Sequence, residues 1–173
     1  MPLKLIVARE PASIARTALP PLSAGLAPGY HLPVYRSAGW FCSTRPVPAV
    51  TPPGTPAPIG PYSHIARVGS HITIGGTAGF VPATGELAGH DVASQTRQIL
   101  DSFAVMLASA GSDLSHVIHV NVFLRHMSDF DAMNRTYVEK MGAHRPARTV
   151  VGVNELPKPG VLLTMNLTAV TSA

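Results

Sequence analysis

Apolar residues recur at spacings of three and four in residues 91–110, the pattern of an amphipathic helix. Asp91 can cap the start of this predicted helix, and Gly111 can end it. The apolar positions are Val92, Ile99, Phe103, Met106, Leu107 and Ala110. The spacing therefore predicts one long helix with one face buried.

A second segment with helical periodicity covers residues 129–141. Ser128 followed by Asp131 resembles a capping box with Asp in place of Glu, and Gly142 terminates the pattern. The apolar face is formed by Phe130, Met133, Tyr137, Val138 and Met141. This pattern predicts a second, shorter amphipathic helix.

Around the two helices, shorter runs alternate between apolar and polar positions, which predicts β-strands. The predicted strands are residues 64–68, 71–77, 117–125, 148–154 and 162–170. Gly69-Ser70 lies between the first two and is a two-residue hairpin signal with glycine first. The last strand follows a Lys-Pro-Gly turn, and we interpret the order as ββαβαββ. This order indicates an α+β fold, a mixed sheet with both helices on one face.

The two faces of the predicted sheet differ in polarity. The face expected to pack against the helices carries Ile72, Ile74, Ile118, Val120, Val122, Leu124, Leu163, Met165 and Leu167. The other face carries Thr73, Gly75, His119, Asn121, Phe123, Thr164, Asn166 and Thr168. A fully solvated face usually carries more charged residues than this one. We therefore expect the protein to self-associate through the polar face of its sheet.

The charges of the chain are unevenly placed. Residues 1–54 hold five basic residues and one acidic residue, whereas residues 55–173 hold eight of each, so the net charge of +4 belongs to the N-terminal segment. That segment is rich in Pro, Ala and Ser, which predicts a disordered extension, a start-site artefact or, as an alternative, a transit peptide. Residues 55–173 are the predicted domain, and their neutral charge speaks against a nucleic-acid partner.

The only cysteine, Cys42, lies in the predicted extension. A disulfide, a cysteine zinc site and a cysteine nucleophile are therefore excluded from the domain, which fits a reducing, cytoplasmic location. His116 and His119 are three apart on a predicted strand, so their side chains point to opposite faces and predict no metal site. No apolar run approaches 18 residues, so we expect no membrane span.

Arg148 is the most informative candidate for chemistry. It stands at the mouth of a predicted strand, and no acidic residue lies within six positions of it. Its guanidinium keeps its charge at any ordinary pH and matches a carboxylate with two parallel hydrogen bonds. Arg148 is therefore either a substrate anchor or a structural arginine that is solvated or paired with a distant carboxylate such as Glu155 or Asp91.

Five spaced motifs in residues 55–171 resemble those of the RidA (YjgF) family, older name L-PSP endoribonuclease. They agree with the family in order, and the extension has no counterpart. The motifs are Ile59-Gly60-Pro61-Tyr62-Ser63, Gly75-Gly76 with Thr84-Gly85-Glu86, Asp129-Phe130 with Met133-Asn134 and Tyr137, Pro146-Ala147-Arg148-Thr149-Val150, and Leu156-Pro157-Lys158.

The resemblance implies a chorismate-mutase-like fold and a homotrimer with three clefts between subunits. It also implies hydrolysis of enamine or imine intermediates such as 2-aminoacrylate to 2-keto acids and ammonia, with no cofactor. In such a site Arg148 binds the substrate carboxylate and Tyr62 borders the cleft. Backbone groups near Val150 and Gly76 contact the imine end, and Asn134 belongs to the implied substrate-binding set.

One position departs from the family pattern. Many active members have a glutamate in the last strand that orients the attacking water, and alignment from the C-terminus puts Asn166 there. An amide can hold a water but cannot accept its proton. The alternatives are a weaker or redirected deaminase, a non-catalytic small-carboxylate binder or chaperone-like trimer, and an Asn166 that is merely satisfied by Thr164 and Thr168. The old ribonuclease label conflicts with the neutral domain.

Overall fold

The computed structural model describes residues 47–172. Cys42 and most of the predicted N-terminal extension lie outside the described residues, as does residue 173. Among the described helices, none is long and apolar enough to cross a membrane.

Within residues 47–172 the chain forms one six-stranded sheet and two α-helices. The elements are β1 (Ala49–Val50), β2 (Ile65–Val68), β3 (His71–Ala78), α1 (Val92–Ser109), β4 (Val117–Leu124), α2 (Phe130–Met141), β5 (Ala147–Gly152) and β6 (Leu163–Val170). The strand order is β1-β2-β3-β6-β4-β5. Every neighbouring pair is antiparallel except β4–β5, whose parallel pairing follows from the crossover through α2.

The predicted α+β architecture with a mixed sheet is confirmed, and the sheet has one more strand than the sequence indicated. The added strand, β1, pairs with β2 through Ala49↔Ala66 and Val50↔Ile65. It comes before the domain boundary expected at residue 54. Two exposed residues are too few to show strand alternation, so only pairing with β2 reveals this strand. The Gly69-Ser70 hairpin is confirmed, because Val68 pairs with His71 and Gly69 has a φ of 59°.

The core lies between one face of the sheet and the two helices. Its fully buried side chains include Phe103 and Met106 from α1, Met133 from α2, and residues of β3, β4 and β6. Two residues expected on apolar faces are wrong: Ile118 and Val138 are exposed, and Val117 is buried in place of Ile118. The register between β4 and β6 shifts between Val117 and His119, and this bulge turns Ile118 away from the core.

The two helices begin differently. The Oδ1 of Asp91 accepts a hydrogen bond from the Ser94 amide at 2.8 Å, so the predicted cap of α1 is confirmed. The predicted capping box of α2 is wrong, because Asp129 occupies the N-cap position without a side-chain hydrogen bond. The chain enters α2 through a 3-10 turn over Met127–Asp129, whose backbone bonds take the place of a side-chain cap.

Replacing Asp91 by alanine is expected to lower the free energy of unfolding by about 1 kcal/mol, the usual effect of a lost N-cap. Hydrogen bonds from the Ser94 side chain and amide lower the pKa of Asp91. Its contribution is therefore present at neutral pH and lost as the pH falls through the acidic range. Urea unfolding at pH 7 and pH 3 should show a difference between wild type and Asp91→Ala that shrinks at pH 3. Asp91→Ser is the control, since a serine also caps.

A buried amide on α1 ties two loops together at one end of the sheet. The Nε2 of Gln95 donates to the carbonyl oxygens of Gly89 and Gly160, at 3.0 and 2.9 Å. Its Oε1 accepts from the Leu162 amide at 2.9 Å. Because Gln95 is fully buried, these bonds are shielded from water. Gln95 therefore holds the segment before β6 against the loop that follows β3.

Candidate functional site

A cavity of about 420 Å³ opens beside the end of β3 and the start of β6. Its wall is mostly apolar and combines the segment before β2, the end of β3, and the segment that Gln95 holds in place. The lining residues include Ala57, Ile59, Tyr62, His64, Gly76, Thr77, Phe80, Lys158, Val161 and Thr164. Such a cavity is large enough for a small organic ligand, and its few polar groups would set the orientation of that ligand.

Two of the predicted site residues, Tyr62 and Gly76, meet in this cavity. Tyr62 is 40% exposed, and its hydroxyl oxygen accepts a hydrogen bond from the Ile59 amide at 3.3 Å. Gly76 lies where the β3–β6 register shifts between Ile74 and Thr77. This irregularity takes the backbone at Gly76 out of the regular ladder and leaves it in the cavity wall.

The last strand places a different polar residue in the cavity from the one the sequence suggested. Thr164 lines the cavity and donates from its hydroxyl to the Thr77 carbonyl oxygen at 3.0 Å. Asn166 is not among the lining residues, and its Oδ1 accepts from the Asn121 side chain at 2.8 Å. Asn121, rather than Thr164 or Thr168, is therefore the hydrogen-bonding partner of Asn166. The alternation of β6 predicted that Thr164 and Asn166 lie on the same face of the sheet. It did not predict which of the two side chains reaches the cavity.

His64 is a lining residue that the sequence analysis missed. Its side chain is 3% exposed, and its Nε2 lies 2.7 Å from the Pro56 carbonyl oxygen. Its Nδ1 is buried without a hydrogen-bond partner among the described residues. The Tyr62 ring meets the imidazole edge-on, with centroids 5.6 Å apart. In the sequence His64 is only the first residue of a predicted strand, which gives no sign of burial or of a nearby cavity.

Arg148 lies elsewhere, against α2. Its Nη2 donates to the Oδ1 of Asn134 at 2.8 Å, and its Cζ lies 4.6 Å from the centre of the Tyr137 ring. Arg148 and Asn134, both predicted site residues, are thus brought together. Among the described residues Arg148 has no ion pair, so the proposed structural partners Glu155 and Asp91 are wrong. The guanidinium is held by an amide and a ring, and its charge is not neutralised there.

The environment of Tyr137 reflects the nearby cation. Burial raises the pKa of the Tyr137 phenol, and the positive charges of Arg148 and Arg145 act in the opposite direction. Its hydroxyl is buried without a hydrogen-bond partner among the described residues. Tyr137 is therefore a neutral phenol, and it supplies no negative charge to the Arg148 guanidinium above its ring.

A single chain does not bring Arg148 to the cavity. Arg148 pairs with Val120 and lies on the helix face, whereas Thr164 pairs with Phe123 on the opposite face. The two positions are two strands and three register steps apart, roughly 14 Å from standard strand spacings. Val150 is half-buried on β5 beside Arg148, on the helix face. The predicted residues thus form two groups, Tyr62 with Gly76 and Arg148 with Asn134 and Val150.

His116 and His119 bond to different partners. The Nδ1 of His116 lies 3.0 Å from Asp113, and the Nε2 of His119 lies 3.3 Å from the Thr149 hydroxyl. Three hydrogen bonds, two from Ser115 and one from His116, lower the pKa of Asp113 to about 2. In the part of the chain that the structure describes, no three His, Cys, Asp or Glu residues cluster as a metal site would require.

Comparison with protein families gives one clear match. The family model described as Endoribonuclease L-PSP matches residues 53–171. This range includes both helices and every described strand except β1. The match begins after residue 52, so the N-terminal part of the chain has no counterpart in the family model.

Individual relatives agree with this match. The chain is 44% identical to a RutC family protein of Pyrococcus horikoshii, over 60% of this chain and 82% of that protein. It is 35% identical to the 2-iminobutanoate/2-iminopropanoate deaminase of Homo sapiens, over 60% and 75% of the two chains. Its fold resembles that of E. coli TdcF with bound serine, with a TM-score of 0.67 and 30% identity over 72% of this chain and 99% of that chain.

Proposed function

This chain belongs to the Endoribonuclease L-PSP family, also called the RidA or YjgF family, and on that premise we propose that it hydrolyses reactive imino acids. In the proposed reaction water adds to the C=N carbon of an imine of the 2-aminoacrylate type. The resulting carbinolamine then loses ammonia and leaves a 2-keto acid. The similarity to the human 2-iminobutanoate/2-iminopropanoate deaminase supports this choice of substrate.

The observation that carries the proposal is that, among the described residues, no carboxylate neutralises the charge of Arg148. An arginine that is half-buried beside an aromatic ring, with no carboxylate partner among the described residues, is suited to bind an anion. Asn134 and Tyr137 hold the side chain in one orientation, so part of the guanidinium fork stays available. A substrate carboxylate would supply the missing negative charge through two parallel hydrogen bonds.

We further propose that the complete site lies between subunits of a homotrimer. The cavity with Tyr62, Gly76 and Thr164 contains the space for a ligand but lacks Arg148. An Arg148 from a neighbouring copy would add the carboxylate anchor, and the backbone at Val150 would approach the imine end. In this arrangement Thr164, in the place expected for Asn166, would help to hold a water by hydrogen bonding.

A second candidate, a non-catalytic binder of small carboxylates, is favoured by one observation: within residues 47–172, no Asp or Glu lines the cavity. A coupled assay separates the two. A dehydratase generates 2-aminoacrylate in the presence of the purified protein, and keto-acid formation is followed against time. We expect faster keto-acid formation than in buffer or with an equal mass of an unrelated protein. Saturable binding of a 2-keto acid without this acceleration would identify the protein as a binder.

The subunit arrangement can be tested with a matched pair of variants. Val151 is 40% exposed on β5, on the face opposite the helices, and Val138 is 42% exposed on the outer side of α2. Val151→Glu is expected to convert the trimer to monomers at micromolar concentration, because three unpaired carboxylates would be buried at the interface. Val138→Glu should leave the trimer intact. Light scattering gives the mass of each protein, and a monomeric wild type would contradict the proposed assembly.

A further inference from the structure

One side of the cavity is formed by a loop, the wall segment of residues 56–62. It contains no helix or strand, and most of its residues are exposed. Pro56, Pro58 and Pro61 have no amide hydrogen, so three of its seven residues cannot donate a backbone hydrogen bond. The position of the wall segment therefore depends on few contacts.

Two internal hydrogen bonds fold the far end of the wall segment into a tight turn. The Tyr62 amide donates to the Gly60 carbonyl oxygen at 2.9 Å, and the Ile59 amide donates to the Tyr62 hydroxyl at 3.3 Å. Among the described residues, only one hydrogen bond joins the wall segment to the rest of the protein. It connects the Pro56 carbonyl oxygen with the Nε2 of His64 at 2.7 Å, and it is buried, so water does not compete for it.

His64 reaches the wall segment from a fixed base. Its carbonyl oxygen accepts from the Gly75 amide at 2.9 Å, and its amide donates to the Thr51 hydroxyl at 3.3 Å. A carbonyl oxygen can only accept a hydrogen bond, so Nε2 donates to Pro56. The same imidazole meets the Tyr62 ring edge-on, with centroids 5.6 Å apart. One buried ring therefore contacts both ends of the wall segment.

We propose that His64 is a positioning residue for the imino acid, an inference that rests on the proposed imine hydrolysis. Its ring holds the wall segment in place, so Pro56 and Tyr62 already line the cavity when the substrate arrives. Without the Nε2 bond the wall segment would have to be ordered at each binding event, and the entropy of that ordering weakens binding. The loss applies equally to bound substrate and transition state, so it raises KM and leaves kcat unchanged.

The test uses two amide side chains that differ in reach. In His64→Gln the amide nitrogen takes the place of Nε2 and can donate to Pro56, whereas in His64→Asn it reaches only the position of Nδ1. KM for imine hydrolysis by the full chain should rise about tenfold in His64→Asn and by less than about threefold in His64→Gln. In both variants kcat should stay within about threefold of the wild-type value.

His144→Asn is the matched control. His144 also donates from Nε2 to a backbone carbonyl, that of Val117 at 2.8 Å, but it is not among the described lining residues. Its loss should lower stability and leave KM unchanged. The inference is wrong if His64→Asn has the wild-type KM, or if His64→Gln or His144→Asn raises KM as much as His64→Asn does. A lower kcat at an unchanged KM in His64→Asn would also overturn it, since the ring would then act in the chemistry.

Failure of the proposed function gives a different result. If the wild type does not hydrolyse the imine, the same variants are titrated with 2-oxobutanoate, a keto acid of the product type. Kd should then be about tenfold weaker in His64→Asn than in wild type and near the wild-type value in His64→Gln. Equal Kd values in all three proteins contradict the positioning role. A wild type with neither turnover nor keto-acid binding would overturn the proposed function and this inference together.

Hydrogen exchange on the wild type decides the point if His64→Asn does not fold. Coupling is reciprocal, so a bond that favours ligand binding is itself stabilised by the ligand. In ¹⁵N-labelled protein followed by NMR, saturation with 2-oxobutanoate should slow exchange of the His64 Nε2 hydrogen. The slowing should exceed that of the amide of Phe103, which is buried in the core on α1. Equal slowing would report only global stabilisation, and the inference would then fail.

Discussion

Arg148→Ala is expected to lower kcat/KM for imino-acid hydrolysis about a thousandfold. The guanidinium would make two charge-assisted hydrogen bonds to the substrate carboxylate, and the loss of both amounts to about 4 kcal/mol. Asn134 and Tyr137 hold the guanidinium in place before the substrate arrives, so the wild-type site needs little reorganisation. Arg148→Lys keeps the charge but loses the planar fork, and its loss should be intermediate.

Arg145→Ala is the matched control for this prediction. Arg145 lies three residues before Arg148, is exposed, and donates to the backbone carbonyls of Gly142 and His144. Its removal should change kcat/KM by less than about threefold. Steady-state kinetics with dehydratase-generated 2-aminoacrylate provide the measurement for all three variants. Equal kcat/KM in wild type and Arg148→Ala would show that the carboxylate is bound elsewhere.

Gln95→Leu is expected to lower the free energy of unfolding by about 3 kcal/mol. Leucine has a similar volume, so the effect isolates three lost hydrogen bonds, to the backbone groups of Gly89, Gly160 and Leu162. These groups lie in a part of the protein that is shielded from water, so leaving them unpaired is costly. Thermal unfolding at a fixed protein concentration should show a melting temperature lower by about 10 °C.

The same variant should also disturb the cavity. Val161 and Lys158 line the cavity in the segment that Gln95 holds, so a loosened segment should raise KM more than it lowers kcat. Gln98→Leu is the control, since Gln98 lies one turn along α1 and its side chain bonds, among the residues the structure describes, only to the Ser102 hydroxyl at 3.3 Å. A melting temperature unchanged between wild type and Gln95→Leu would mean that these loops are held by other contacts.

The helices and the first hairpin could be predicted from the sequence because their signals are local. The spacing of Ile99, Phe103 and Met106 repeats every turn of α1, and Asp91 and Gly111 mark its ends. Gly69 specifies the hairpin by a backbone angle that other residues rarely adopt. Errors arose where the regular pattern is broken, as at Ile118, because a bulge depends on how β4 meets β6 and leaves no local signature.

The site residues also divide into those with a local sequence signal and those placed by contacts between distant segments. Motif resemblance selected Tyr62, Gly76 and Arg148, since family motifs are read along the chain. It did not select His64 or Thr164, whose positions in the cavity depend on how separate segments meet. His64 is held through the contact of its Nε2 with the Pro56 carbonyl oxygen, and that contact forms only in the folded chain.

The sequence by itself determined the element types, the α+β class, the family, and the unusual lack of an acidic partner near Arg148. Periodicity, turn residues and family motifs act over short stretches, so they survive in the linear order of residues. Tertiary structure alone decided that Arg148 faces α2, that Asn166 bonds to Asn121, and that Thr164 reaches the cavity. Strand register and side-chain packing join distant segments, and such pairings are settled only when the whole core forms.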